Sequence, residues 1–321
     1  MTIDGAFEQY QRTVNADISQ VRLARERRDT FKGAFKSQAD VLDCFGSGSL
    51  ARSTQLKPVH DVDLVLVYDP ERHQDWGQPG GSAEAAVRHV QAEVTRLLGM
   101  SGTIDQLVRE TRVAGRDRAV KCFIDPPDSD DAFTVDAMPA LRSPTGTLLL
   151  PSISSQSWTE ADPEYLIAEV ADRQRKWSYF RPMVRVLKDW RLDQDTKIKS
   201  LVMEVLALKC LPTNRNRATA LREFFAAAAV EVFYGVEDPA RFCGSVQTDL
   251  DTAAVSAALS SAADNARLAC AAGDDGDTDT AKFWWRQVFG TDFPGPESQP
   301  NPPYSAPAVT APRRVRDAPQ G

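Results

Sequence analysis

Apolar residues recur along the chain in two different periods, and the change falls near residue 162. Over residues 4–36, Phe7, Tyr10, Val14, Ile18, Val21 and Phe31 follow helical spacing, which predicts one long helix. A short apolar run at 41–45 then meets Gly46-Ser47-Gly48-Ser49, which reads as strand, turn and the start of a short helix. Residues 62–68 are rich in valine and leucine and predict a buried strand. An amphipathic helix is expected over 82–98, with Ser82 as N-cap and Gly99 as its stop. Further strands are predicted near 107–113, 119–124 and 132–140, the last two separated by the acidic turn "DPPDSDD". This half reads as mixed α and β, with a sheet of about five strands.

From Asp162 onward helical spacing takes over, over 163–176, 180–191, 199–211, 217–234, 248–272 and 280–289. Trp177, Trp190, Trp284 and Trp285 sit among leucines and phenylalanines at helical spacing and are expected in the core. After Phe293 eight prolines appear and apolar periodicity ends, so 294–321 is expected to be a disordered Pro-rich tail. The expected division is 1–160 as a mixed-sheet catalytic core with an N-terminal spine helix, 161–293 as a helical lobe, and 294–321 as tail.

A chain of 321 residues with 42% hydrophobic content can bury one large core or two lobes. No apolar run approaches the roughly 18–20 residues of a membrane-spanning helix. The start "MTIDGAFEQY" lacks a basic stretch followed by an apolar one, so a cytoplasmic protein without a membrane partner is expected. The net charge of −7 argues against long nucleic acid as a partner. The basic run Arg22–Arg28 reads as a solvated helix face. The five cysteines are scattered without Cys-x-x-Cys spacing, which predicts reduced thiols and no structural zinc. His60, His73 and His89 are too few and too dispersed to suggest a histidine metal site.

The chemistry concentrates at Asp61 and Asp63. Residues two apart on a strand share a face, so the two carboxylates project together and repel. No lysine or arginine lies between them, and hard oxygen ligands suit Mg²⁺ or Mn²⁺. Gly46 allows a close backbone approach to an anion, and Ser47 adds donors at a helix start. Asp136, an isolated acid in the apolar segment "FTVDAMPA", is the third carboxylate a two-ion phosphoryl-transfer site requires.

Taken in order, "GSGSLARST", "HDVDLVLVY" and "VDAMPA" resemble the DNA-polymerase-beta-type nucleotidyltransferases. Within that superfamily the chain looks like the branch of oligoadenylate synthases, cyclic GMP–AMP synthase and the bacterial cGAS/DncV-like nucleotidyltransferases of anti-phage defence. "RPMVRVLKDWRLDQDTKIKSLVMEVLALKCL" and "FWWRQVFGTDFP" extend the resemblance through the second half, over most of 35–293. It implies an α+β fold: a polymerase-beta-like mixed sheet with flanking helices and a C-terminal helical lobe, bilobed with a central cleft. It further implies that Gly46 and Ser47 hold the donor triphosphate, that Asp61, Asp63 and Asp136 bind two Mg²⁺ or Mn²⁺ ions, and that Lys188 and Ser200 contact the triphosphate. The chain departs at Leu201, where several relatives carry a base-stacking tyrosine.

The implied activity is template-independent joining of nucleoside triphosphates into a cyclic di- or trinucleotide second messenger, with release of pyrophosphate. Linear oligonucleotide synthesis, nucleotidyl transfer to RNA or a small molecule, and non-catalytic nucleotide sensing are the alternatives. Some relatives are joined through their C-terminal carboxyl group to other molecules by a ubiquitin-transfer-like partner. The tail ending at Gly321 is accordingly expected to serve as a handle for a conjugating or regulatory protein.

Overall fold

A computed structural model describes residues 1–129 and 131–298. They form two compact units, one of residues 16–168 and one of residues 1–15 with 169 onward. The N-terminal helix therefore belongs with the helical half, not with the sheet. The single helix expected over 4–36 is two, α1 (Ile3–Val14) and α2 (Ile18–Lys36). The break has a local cause. Asn15 is extended, and Asp17 caps α2 by accepting from the Ser19 amide at 2.7 Å.

The sheet unit holds seven strands: β1 (Val41–Ser47), β2 (Asp61–Tyr68), β3 (Glu110–Arg112), β4 (Val120–Phe123), β5 (Thr134–Arg142), β6 (Leu148–Ser152) and β7 (Ser157–Ala161). Their order is β1-β2-β5-β4-β3, with β6 pairing β5 and β7 pairing β6. Only β2 and β5 run parallel, so the sheet is mixed. The hairpin β6–β7 raises the expected five strands to seven. Strand β2 is buried from Leu64 to Tyr68, as a central strand covered on both faces must be. Phe31 and Phe35 of α2 and Val87, Val90 and Val94 of α4 (Ser82–Leu98) complete the core. Each such apolar side chain stabilises the fold by roughly 1.5–3 kcal/mol. Ser82 is the first residue of α4 and not its cap; its hydroxyl is bonded to the Gln78 carbonyl and accepts from Trp158 Nε1. Gly99 ends the helix with a φ of 65°.

The chain leaves the sheet unit within α5 (Pro163–Lys176). The helical unit adds α6 (Phe180–Trp190), α7 (Ser200–Cys210), α8 (Arg217–Glu231), α9 (Thr252–Asp274) and α10 (Thr278–Phe289). Helix α9 packs on both α8 and α10, and α1 meets α6, α8 and α10. Phe7 stands edge-on to Trp285 with centroids 5.0 Å apart. Trp177, Trp190, Trp284 and Trp285 are all buried. Residues 294–298, expected in the tail, close against α10: Glu297 pairs with Lys282 at 2.9 Å, and Ser298 bonds Asp279. The remainder, 299–321 with Gly321, lies outside the described residues. Among the described residues no helix is long and apolar enough to cross a membrane.

Candidate functional site

One row of register partners crosses the sheet. Ser47 of β1 pairs with Asp63 of β2, Asp63 with Asp136 of β5, and Asp136 with Lys121 of β4. Register partners on neighbouring strands present their side chains to one face. The fold thus lays a hydroxyl, two carboxylates and an ammonium side by side. Asp61, two residues before Asp63, adds a third carboxylate at the exposed start of β2. The three expected aspartates are brought together.

The turn before α3 (Gly48–Arg52) closes directly over Asp63. Gly48 has a φ of 65°, and a Cβ built there would lie 1.6 Å from Asp63 Oδ2. Glycine is required on both counts. At Gly46 the nearest atom to a Cβ would be Cδ of the Arg28 side chain, at 3.1 Å, with the Asp63 carbonyl oxygen no closer than 4.0 Å. The sequence pointed to Gly46 and Ser47; the steric demand falls on Gly48.

Electrostatically the site is overloaded with negative charge. Burial, then the charges of Asp61 and Asp136, push Asp63 up to about 7, against the opposing pull of Arg52 and Lys121. Burial also raises Asp136, although Lys121 and Arg116 hold it down. Two like charges one strand spacing apart repel by about 3 kcal/mol at an effective dielectric of 20. Arg116 pairs with Asp136 Oδ2, and Oδ1 of the same carboxylate is buried without a hydrogen-bond partner. An orphaned carboxylate oxygen beside two more carboxylates is a hard-oxygen donor set, and it fits a divalent cation.

Arg52, Arg116 and Lys121 were not singled out in the sequence. Arg52 and Lys121 are buried, and Lys121 sits in a four-residue strand too short to show a pattern. The basic run Arg22–Arg28 is only partly a solvated face. Arg27 pairs with Asp125 at 3.2 Å and lies over the Phe133 ring, while Arg28 packs over Gly46. Arg22 and Arg25 are exposed.

In the helical unit, Lys188 of α6 is buried, and its Nζ lies 3.0 Å from Glu204 Oε1 of α7. That pair ties two core helices together. Ser200 is the first residue of α7, with Lys199 as cap. The segment leading into it is held by buried Gln247, which accepts from the Lys199 amide at 2.7 Å and donates to the Lys197 carbonyl at 3.1 Å. Gln247 also escaped sequence reasoning, since a lone glutamine in a loop carries no pattern.

No family model matches the chain. A probable cyclic nucleotide synthase of Bacillus cereus (strain VD146) is 23% identical to it, over 92% of this chain and 99% of the relative. Among solved structures, CdnC of E. coli MS115-1 with ATP matches 91% of this chain and 98% of its own, with a TM-score of 0.68 at 18% identity. The same CdnC is also known in complex with HORMA-deltaN. Vibrio cholerae DncV cyclic AMP-GMP synthase, in complex with a linear intermediate, matches 90% of this chain and 97% of its own, with a TM-score of 0.59 at 15% identity. The chain therefore has the α+β, polymerase-beta-like fold of these nucleotidyltransferases: a mixed sheet with flanking helices and a set of C-terminal helices.

Proposed function

We propose that this chain joins nucleoside triphosphates without a template into a cyclic di- or trinucleotide messenger of anti-phage signalling, releasing pyrophosphate. The observation that carries the reading is the row Asp63–Asp136, with Asp61 beside it and Gly48 closed over it. The probable cyclic nucleotide synthase of Bacillus cereus supports it, since its similarity spans 92% of this chain.

Asp61, Asp63 and Asp136 would hold two Mg²⁺ or Mn²⁺ ions, which supply an activated acceptor hydroxyl and charge neutralisation at the departing pyrophosphate. The chain's own groups do the rest. Gly46, Ser47 and the Gly48 turn bring backbone close to the donor triphosphate. Arg28, lying over Gly46, adds a cation beside that turn. Arg116 occupies one oxygen of Asp136 and aims the other, Oδ1, away from itself. Lys121 offsets part of the rise that burial imposes on Asp63 and Asp136, and Arg52 adds to that offset at Asp63. In each transfer the acceptor oxygen forms a bond to the α-phosphorus, the bond from that phosphorus to pyrophosphate breaks, and the acceptor proton is lost. Lys188 and Ser200 keep their place as proposed nucleotide contacts.

The complex of CdnC with HORMA-deltaN supports a protein regulator as a further partner. The test of the activity is incubation with labelled triphosphates and Mg²⁺ or Mn²⁺, followed by phosphatase and mass spectrometry. A phosphatase-resistant product with the mass of a ring supports the reading. A phosphatase-sensitive ladder, transfer only to added RNA, or binding without product overturns it.

A further inference from the structure

Two of the chain's three histidines meet at the opposite end of β2 from the aspartates. His73 lies in the loop after β2, His89 on α4, and Asp40 in the turn before β1. Their separation along the sequence hid this convergence, which corrects the expectation drawn from three dispersed histidines. From Asp63 to Tyr68, where the cluster sits, β2 extends about 16 Å at roughly 3.3 Å per residue.

The geometry suits a soft-to-borderline cation. His73 Nε2 is 2.9 Å from Asp40 Oδ2, and His89 Nε2 is 3.7 Å from the same oxygen. All three ligand atoms lie within 4.8 Å of one another. Ligands about 2.0–2.2 Å from a tetrahedral zinc stand about 3.3 Å apart, and the two short separations bracket that value. His89 Nε2 is buried with no hydrogen-bond partner. The Tyr68 hydroxyl, on the ring that stands edge-on to both histidines, is likewise buried and unpartnered. Trp76 stacks on His73 at 4.0 Å and fixes its plane. Two unsatisfied buried polar atoms around one carboxylate call for a third party.

We propose that Asp40, His73 and His89 bind one Zn²⁺-like ion through Oδ2, Nε2 and Nε2, with water as the fourth ligand. Two imidazoles select zinc, cobalt or nickel over magnesium. The ion is structural: it staples the long loop 69–81 to α4 and to the start of β1.

The test is Co²⁺ titration of the full chain after chelator treatment, read by visible absorption, with Zn²⁺ competition. The expected result is one equivalent with a tetrahedral-type spectrum, displaced by Zn²⁺ and accompanied by a raised Tm. Asp40→Asn and His89→Gln should each weaken binding at least about tenfold. Circular dichroism of both variants checks that the fold is retained. Absence of the cobalt spectrum in the wild type, or unchanged affinity in folded His89→Gln or Asp40→Asn protein, overturns the proposal. Neither outcome depends on nucleotide synthesis.

Discussion

Lys121 is the register partner of Asp136 across β4 and β5, on the side away from Asp63. A buried ammonium in line with two carboxylates offsets part of their repulsion and keeps both below the pKa that burial alone would impose. Lys121→Met removes that offset. The rising limb of the pH–rate profile should move to higher pH, with kcat/KM falling most at neutral pH. A profile that does not move would show that Lys121 leaves the site's proton affinity alone.

Asp63 gives stability an inverted pH dependence. Its folded-state pKa, about 7, lies above the ordinary carboxylate value of 3.8. Between those values the native state holds a proton that the unfolded state has lost, so the metal-free protein loses stability as pH rises through that window. In chelator, thermal melts at pH 5 and pH 8 should show this fall. Asp63→Asn should abolish most of it and raise Tm at pH 8, and added Mg²⁺ should stabilise the wild type but not the variant. Identical melting profiles for the two proteins would contradict the assignment.

Gly48 and Gly46 should respond differently to alanine. A Cβ at Gly48 collides with the Asp63 carboxylate and faces an unfavourable φ, costing roughly 1–2 kcal/mol from the backbone alone. At Gly46 the neighbour is the flexible Arg28 side chain, which can shift. Gly48→Ala should therefore lower kcat by at least about a hundredfold, whereas Gly46→Ala should mainly raise KM for the triphosphate. Steady-state kinetics on both variants decides this, and equal effects would count against it.

The Lys188–Glu204 pair separates structure from nucleotide contact. Removing one partner of a buried pair destabilises by about 3–5 kcal/mol. Lys188→Met should thus lower stability sharply, and Glu204→Gln should do so as well. Denaturant melts measure this. A Lys188→Met protein of full stability but raised KM would assign the lysine to substrate alone.

The three aspartates were legible because period-2 alternation and an isolated acid in an apolar strand are local signals, as was the glycine–serine turn. The cations that balance them were not: Lys121 and Arg116 become neighbours of the site only once β4 pairs with β5, and Arg52 only once α3 packs on β2. The break at Asn15–Asp17 escaped notice because the apolar spacing of α1 continues in phase into α2. Hairpin β6–β7 escaped because its short strands lack a clean alternation. His73 and His89 illustrate the same limit, since a loop and a helix meet through tertiary packing that no spacing encodes.

The most direct test of the central claim is pyrophosphate release from nucleoside triphosphates with saturating Mn²⁺, by wild type and by Asp136→Asn of matched fold. The wild type should release one pyrophosphate per linkage formed, and the variant should be slower by at least about a hundredfold, or close to 3 kcal/mol of transition-state stabilisation. Equal rates in the two proteins would contradict the account.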